Sequence, residues 1–356
     1  MAGPRGYSSY HGKGSKWKIV LAVLLVLVIV GALAVIRLQK YVVYDDSGHP
    51  HLDLSRFSGQ QSDSSVSAPA DGSGDADLTI QEPKQQSIQA VQLPAGPLTD
   101  WKAAWTSVSA DGTYDAVVYT VKDADGSVYV DNQSAPPGAI RTVEGTGAAV
   151  GDMLKDSGVY TVAKIACFRD PVASNGDLEG MGLKNTGGYI FYDGDNDRWL
   201  DPAKPAARQY LIDLATACAA AGFDEILLTD VSYPTVGKLN KIDYGAVATG
   251  LPDSLKEELD SFLTQMKTAL AEYDVKLSIL LPSELIASNY DADGASGQSL
   301  ADIAPLVDRV YANADQDQGG VNLLKANLAA VSKSTEFVPV LTGLEGLSSD
   351  SYLIVS

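Results

Sequence analysis

Hydrophobic and polar positions change rhythm twice along the chain. Ile19 to Ile36 is an unbroken run of 18 residues with no charged or strongly polar side chain. As a helix it would span about 27 Å, close to the roughly 30 Å of a bilayer's hydrocarbon core. Trp17 and Tyr41 bracket it, as interfacial aromatics do. Arg5, Lys13, Lys16 and Lys18 precede it, while Arg37 and Lys40 behind it are offset by Asp45 and Asp46. The pattern predicts a cytoplasmic tail over 1–18, a transmembrane signal anchor over 19–38 and an extracytoplasmic remainder. A signal peptide cleaved after Ala32-Leu33-Ala34 is the competing reading, and the hydrophobicity continuing past that site favours the anchor. Residues 39–86, with a Ser-, Asp- and Gly-rich stretch at 59–77, read as a disordered linker that has too little apolar surface to offset its ordering entropy.

From about Ser87 short β-rich runs alternate with helical ones, which predicts βα units around a parallel sheet. Strands are expected at 87–93, 114–121, 159–166, 224–230, 275–281, 309–312, 337–341 and 352–355. The clearest helices are 203–221, ended by Gly222 as a C-terminal cap, then 253–273 and 320–333. Eight strands in one domain over 87–356 match an α/β (β/α)8 TIM-like barrel. A doubly wound open sheet would carry a glycine-rich phosphate loop after its first strand, and LeuProAlaGlyProLeu at 93–98 is not one.

Charge and composition narrow the chemistry. The formal net charge is −19, which repels nucleic acid. Cys167 and Cys218 both lie in apolar runs and read as two buried thiols, with a single disulfide between them left open. His11, His49 and His51 all precede the domain, so a histidine triad or histidine metal site inside it is excluded. Acid–base work there falls to carboxylates, Tyr or Lys, with no cofactor and no metal expected.

Barrel enzymes work at the C-terminal ends of their strands. Those positions hold Lys122 and Asp123, Arg169 and Asp170, Asp230 and Tyr233, Glu284, Asp315 and Asp317, and Glu345. A carboxylate-rich set without histidine suits glycoside hydrolysis, in which two carboxyl groups flank the scissile bond. It would also suit a hard cation, but AspGlyAspAsnAspArg (193–198) lacks the sixth-position glycine of a calcium loop and has Lys204 where a bidentate Glu is needed. Asp230 and Glu284 are the expected catalytic pair. Asp170, Arg169, Lys122, Tyr233 and Trp199 are the expected substrate contacts, and Tyr189, Phe191 and Tyr192 join Trp199 in an aromatic cluster that could stack on sugar faces.

Several stretches carry a family resemblance in order and spacing: ValLysAspAlaAspGlySerValTyr (121–129), AlaLysIleAlaCysPheArgAspProValAla (163–173), ArgTrpLeuAspPro (198–202), AlaGlyPheAspGluIle (221–226), Tyr233-Pro234 and GlyGln (297–298). From about Ser87 onward the chain resembles the bacterial "putative glycoside hydrolase" TIM-barrel domain family, as a membrane-anchored member. The resemblance implies a barrel and a carbohydrate substrate. Where the family has an Asp two residues after AspGluIle and an Arg before its Phe-Pro pair, this chain has Thr229 and Ser232, with the carboxylate one place on at Asp230. The family's fifth-strand Asp corresponds to Leu280, and its MetValTyrPro segment is replaced by ArgValTyrAlaAsnAlaAsp. A one-residue shift on a strand turns a side chain to the opposite face, so Asp230 reaches the mouth only if the strand end re-aims it. The expected function is a membrane-anchored extracytoplasmic hydrolase acting on a polysaccharide. The alternative is a degenerate barrel that binds cell-envelope glycan without turnover, and a structural role as an assembly partner at the envelope also stays open.

Overall fold

In the computed structural model the described residues are 42–44, 50–52 and 87–355, less 111–113, 157, 289–293 and 315–316. The chain separates into two compact units, 1–80 and 81–356. Of the first, the described part is an antiparallel pair, Val42–Tyr44 with Pro50–Leu52, inside the stretch read as linker. The apolar run 19–36 lies outside the described residues. Among the described residues no helix is long and apolar enough to cross a membrane.

The second unit closes eight parallel strands into a barrel: β1 Gln89–Gln92, β2 Ala116–Lys122, β3 Tyr160–Ala166, β4 Glu225–Thr229, β5 Lys276–Leu280, β6 Arg309–Asn313, β7 Glu336–Leu341 and β8 Tyr352–Ile354. Each pairs with its chain neighbours, and β8 pairs with β1. Around them lie α1 Trp101–Ser109, α2 Thr146–Leu154, α3 Pro171–Gly176, α4 Pro205–Ala221, α5 Asp253–Leu270, α6 Ser283–Ala287, α7 Leu300–Ile303 and α8 Gln318–Val331. All eight expected strands form, so the (β/α)8 reading holds. Strands buried on both faces read as continuous apolar runs, and AlaValValTyrThrValLys of β2 is buried at every position.

Helix ends follow local chemistry. Asp100, Asp170, Ser299 and Asp317 cap α1, α3, α7 and α8 with side-chain oxygens that accept backbone N–H groups. Gly222 ends α4 at φ 103°, a left-handed position that a Cβ would strain. On α5, Leu255, Leu259, Phe262, Leu263, Met266 and Leu270 recur at helical spacing and form the buried stripe against the barrel.

Two cores result. An outer layer fills the space between strands and helices and takes in both cysteines, which are free, buried thiols. The lumen holds a separate cluster that includes Ala90, Val118, Val162, Leu227, Tyr311, Val338 and Leu353. Below it the floor is polar. Arg309 is fully buried and pairs through Nη1 with Glu225 and through Nε with Glu336 at 2.7 Å. Tyr311 and Tyr160 donate to the two Glu225 oxygens at 2.8 and 3.1 Å. Burial, with the Glu225 charge behind it, raises both phenol pKa values and keeps them donors.

The residues before alternate strands close the floor's backbone account. Asp115 accepts from Gln89 N at 2.6 Å, Asp224 from Thr161 N at 2.7 Å and Asp308 from Leu277 N at 2.9 Å, while Ser351 accepts from Ile88 N at 3.1 Å. Each satisfies a strand-entry N–H that the ladder leaves orphaned.

Arg309→Met should cost roughly 3–5 kcal/mol in urea denaturation, because Glu225 would be left buried and uncompensated. An exposed-residue cost of a few tenths would show the floor to be wetter than its burial implies. Asp260 on α5 has its pKa raised to about 6, first by burial and then by Asp302. A carboxyl raised on folding favours the fold when protonated, and that contribution is lost as pH rises through about 6. Asp260→Asn should therefore raise Tm at pH 7.5 and lose that advantage near pH 4, as thermal melts at both values would read.

Candidate functional site

Inward positions of a barrel strand alternate, so the lumen cluster identifies which side chains stand at its C-terminal rim. On β1 to β4 they are Gln92, Thr120, Lys164 and Thr229, followed by Asp230. On β5 and β7 they are apolar, Leu280 and Val340. On β6, between them, the inward rim residue is the exposed Asn313, so the rim is polar over β1 to β4 and mostly apolar over β5 to β8.

Asp230 is half-buried and adopts φ 53°, one of two non-glycine residues with positive φ among those described. This left-handed residue ends β4 and interrupts the strand's in-and-out alternation. Thr229 Oγ1 donates to Asp230 Oδ2 at 2.8 Å. The Asp230 charge acts both on Lys164 in the lumen and on Cys167 in the outer layer. Lys164 Nζ donates to Gln92 Oε1 at 3.0 Å, tying β3 to β1 across the rim. Burial lowers the Lys164 pKa from the usual lysine value, and the Asp230 charge acts against that lowering. Thr120, in register with Lys164, is buried and its Oγ1 has no protein partner.

Glu284 sits in the first turn of α6, which follows β5, the strand neighbouring β4. It is exposed, with Ser283 Oγ at 3.5 Å. Arg169 is half-buried and pairs with Asp197 at 2.7 Å. Four expected contacts depart from a ligand-facing role. Lys122 and Asp170 are both 0% exposed and ion-paired at 3.0 Å, with Lys122 Nζ also on Ala166 O at 2.8 Å and Asp170 capping α3. Tyr233 is 1% exposed, its N–H on Ser296 O and its ring edge-on to Tyr244 at 5.8 Å. Trp199 is 8% exposed and donates to Asp193 Oδ2 at 2.8 Å. These residues fasten the loops above the barrel to its wall.

The acidic loop at 193–198 is a closed polar turn. Asp193 Oδ1 accepts from Asp195 N and Asp197 N at 2.9 and 2.8 Å, and Oδ2 from Trp199. Asp123 repeats the arrangement after β2, accepting from Asp125 N, Ser127 N and Tyr129 Oη at 3.0, 2.9 and 2.7 Å. Both carboxylates are engaged by their own loops, and no metal-holding group of His, Cys, Asp or Glu occurs among the described residues. Of the aromatic cluster, Phe191 is buried whereas Tyr189 and Tyr192 are 73% and 46% exposed, with the Arg198 guanidinium 5.2 Å from the Tyr192 ring centroid. Asp317 caps α8, Glu345 is exposed, and Asp315 lies outside the described residues.

A cavity of about 780 Å³ opens at the opposite, N-terminal end, lined by Asp115, Asp156, Asp224, Asp274 and Asp308. Three of those acids are the ones that satisfy strand-entry N–H groups, so this end closes the fold while the other rim keeps polar groups with spare capacity.

Residues 103–312 match the model of the family described as "Putative glycosyl hydrolase domain". The chain belongs to that family. No curated protein matches it. Among solved structures, it is similar to a hypothetical protein from Ruminiclostridium thermocellum ATCC 27405, at 24% identity over 53% of this chain and 96% of that one, with a TM-score of 0.43. The PgaB (BpsB) glycoside hydrolase domain from Bordetella bronchiseptica is 17% identical over 68% and 84%, with a TM-score of 0.51. The glycoside hydrolase domain of PelA from Pseudomonas aeruginosa is 16% identical over 71% and 83%, with a TM-score of 0.37. At these identities the likeness is one of fold, and the Bordetella domain shows the shared barrel.

Sequence reasoning passed over Gln92, Thr120 and Lys164. The signal was present, since Tyr160, Val162 and Lys164 alternate on β3 and a charge at an inward position of a doubly buried strand is anomalous.

Asp230→Ala should destabilise the domain by about 1–2 kcal/mol, because it puts a Cβ-bearing residue without a local hydrogen bond at positive φ. Asp230→Asn and Asp230→Gly, which tolerate that conformation, should each cost less in urea denaturation. An equal loss in all three would show that the backbone turn does not depend on this residue.

Proposed function

We propose that this family member is a membrane-anchored, extracytoplasmic hydrolase acting on a polysaccharide at the C-terminal rim of its barrel. The observation that carries the reading is the Asp230 carboxyl, held at the end of β4 by a left-handed turn and the Thr229 hydroxyl. Glu284 follows the adjacent strand and is its partner in a two-carboxylate mechanism. One group protonates the glycosidic oxygen, while the other attacks the anomeric carbon or activates water on the opposite face. Arg169 flanks the same end of β3, and exposed Tyr189 and Tyr192 offer ring faces for stacking sugars that extend from the mouth. The anchor is the apolar run 19–36, which puts the barrel outside the cytoplasm.

A second reading is a barrel that holds cell-envelope glycan without cutting it. Leu280 favours it, because the inward end of β5 presents no acid. The full chain incubated with cell-wall and plant glycans separates the two, by released reducing ends against retention alone. Turnover is expected, with Asp230→Asn and Glu284→Gln each lowering it roughly 10²–10⁴-fold. Retention by the wild type with no release would establish the binder.

A further inference from the structure

The polar half of the rim contains more than the two carboxylates require. Lys164 is a cation on the inner face of β3, and its bond to Gln92 Oε1 uses one of its three N–H groups. Asp230 lies at the end of the adjacent strand, β4. Gln92, Lys164 and Asp230 are all half-buried, so each keeps some exposure at the open end. Beside Lys164, Thr120 keeps a hydroxyl without a protein partner, although burying an unbonded hydroxyl is unfavourable. Packing alone would be served by valine at that position. A charged and polar rim maintained at such a cost has the character of a ligand site.

We propose that Lys164, with Gln92 bonded to it and Asp230 on the next strand, is the innermost carbohydrate contact, and that this ammonium–carboxylate set selects an uncharged sugar ring with vicinal hydroxyls over an acidic one. The inference rests on the carbohydrate reading above. A sugar hydroxyl accepts one hydrogen bond and donates another, so adjacent hydroxyls are matched by a cationic donor beside an anionic acceptor. A uronate would satisfy Lys164 but bring its carboxylate towards Asp230. The whole domain opposes it as well, because residues 1–86 carry eight basic and eight acidic side chains and the entire −19 falls on the remainder.

Calorimetric titration of the full chain with neutral xylo- and cello-oligosaccharides and with oligogalacturonate tests this. The wild type is expected to bind a neutral series at least about tenfold more tightly than oligogalacturonate, and Lys164→Met to lose about tenfold or more of that affinity. Lys164→Arg, which restores the charge, is expected to recover most of the loss, and that recovery separates a contact from a folding defect. Gln92→Leu should fall between them. Unchanged binding by Lys164→Met, or equal or tighter binding of oligogalacturonate, overturns the inference while the carbohydrate reading stands. A wild type that binds no saccharide overturns both.

Discussion

Closure of eight parallel strands is the constraint on which everything else depends. It forces alternate side chains into a lumen too narrow for bulk solvent and presses the others against helices. Most polar groups pointed inward then find a partner from another strand or stand at an end where the lumen opens, and Ser278 of β5, buried beside Arg309 with its hydroxyl unbonded, is an exception. The floor takes the first course, with Arg309 joining β6 to β4 and β7 through Glu225 and Glu336. The rim takes the second, with Lys164, Gln92 and Asp230 half-buried.

The two ends are chemically unlike despite their shared polarity. At the N-terminal end, acids before β2, β4 and β6 are consumed by strand-entry N–H groups, and the Arg309 network is saturated by carboxylates and phenols. At the C-terminal end, Thr120 Oγ1 has no protein partner and Lys164 makes a single side-chain hydrogen bond. A group whose hydrogen-bonding capacity is filled stabilises the fold, whereas one with capacity left over can meet a ligand. That difference, rather than cavity size, is what favours the C-terminal rim in the proposed reading, although Ser278 near the floor also has an unbonded hydroxyl.

The loops above the rim are fixed by the residues that a list of strand-end polar groups would assign to substrate. Lys122 and Asp170 neutralise each other between β2 and α3, and Asp193 and Asp123 each gather two backbone N–H groups and an aromatic donor. The recurrence of Asp-x-Asp at +2 and a Tyr or Trp at +6 in both loops shows one local solution used twice. Rigid loops of this kind hold a site open without spending its own side chains.

The chain's alternation of apolar runs determined the architecture by itself. Eight short β-rich segments between helical ones, with no phosphate-binding glycine loop, leave little choice but a closed barrel, because each βα unit buries one strand face and one helix stripe. The absence of histidine and of a thiolate cluster from the domain likewise restricted the chemistry to carboxylates, Tyr and Lys. Which polar strand-end residues face the lumen was decided only by tertiary structure. Asp230 sits one position out of phase with the strand and has a positive φ, while Tyr233 and Trp199 are drawn into loop packing by Ser296, Tyr244 and Asp193. Such outcomes depend on partners six to 63 residues away and on one backbone angle at a strand's end, and a local pattern of hydrophobicity carries neither.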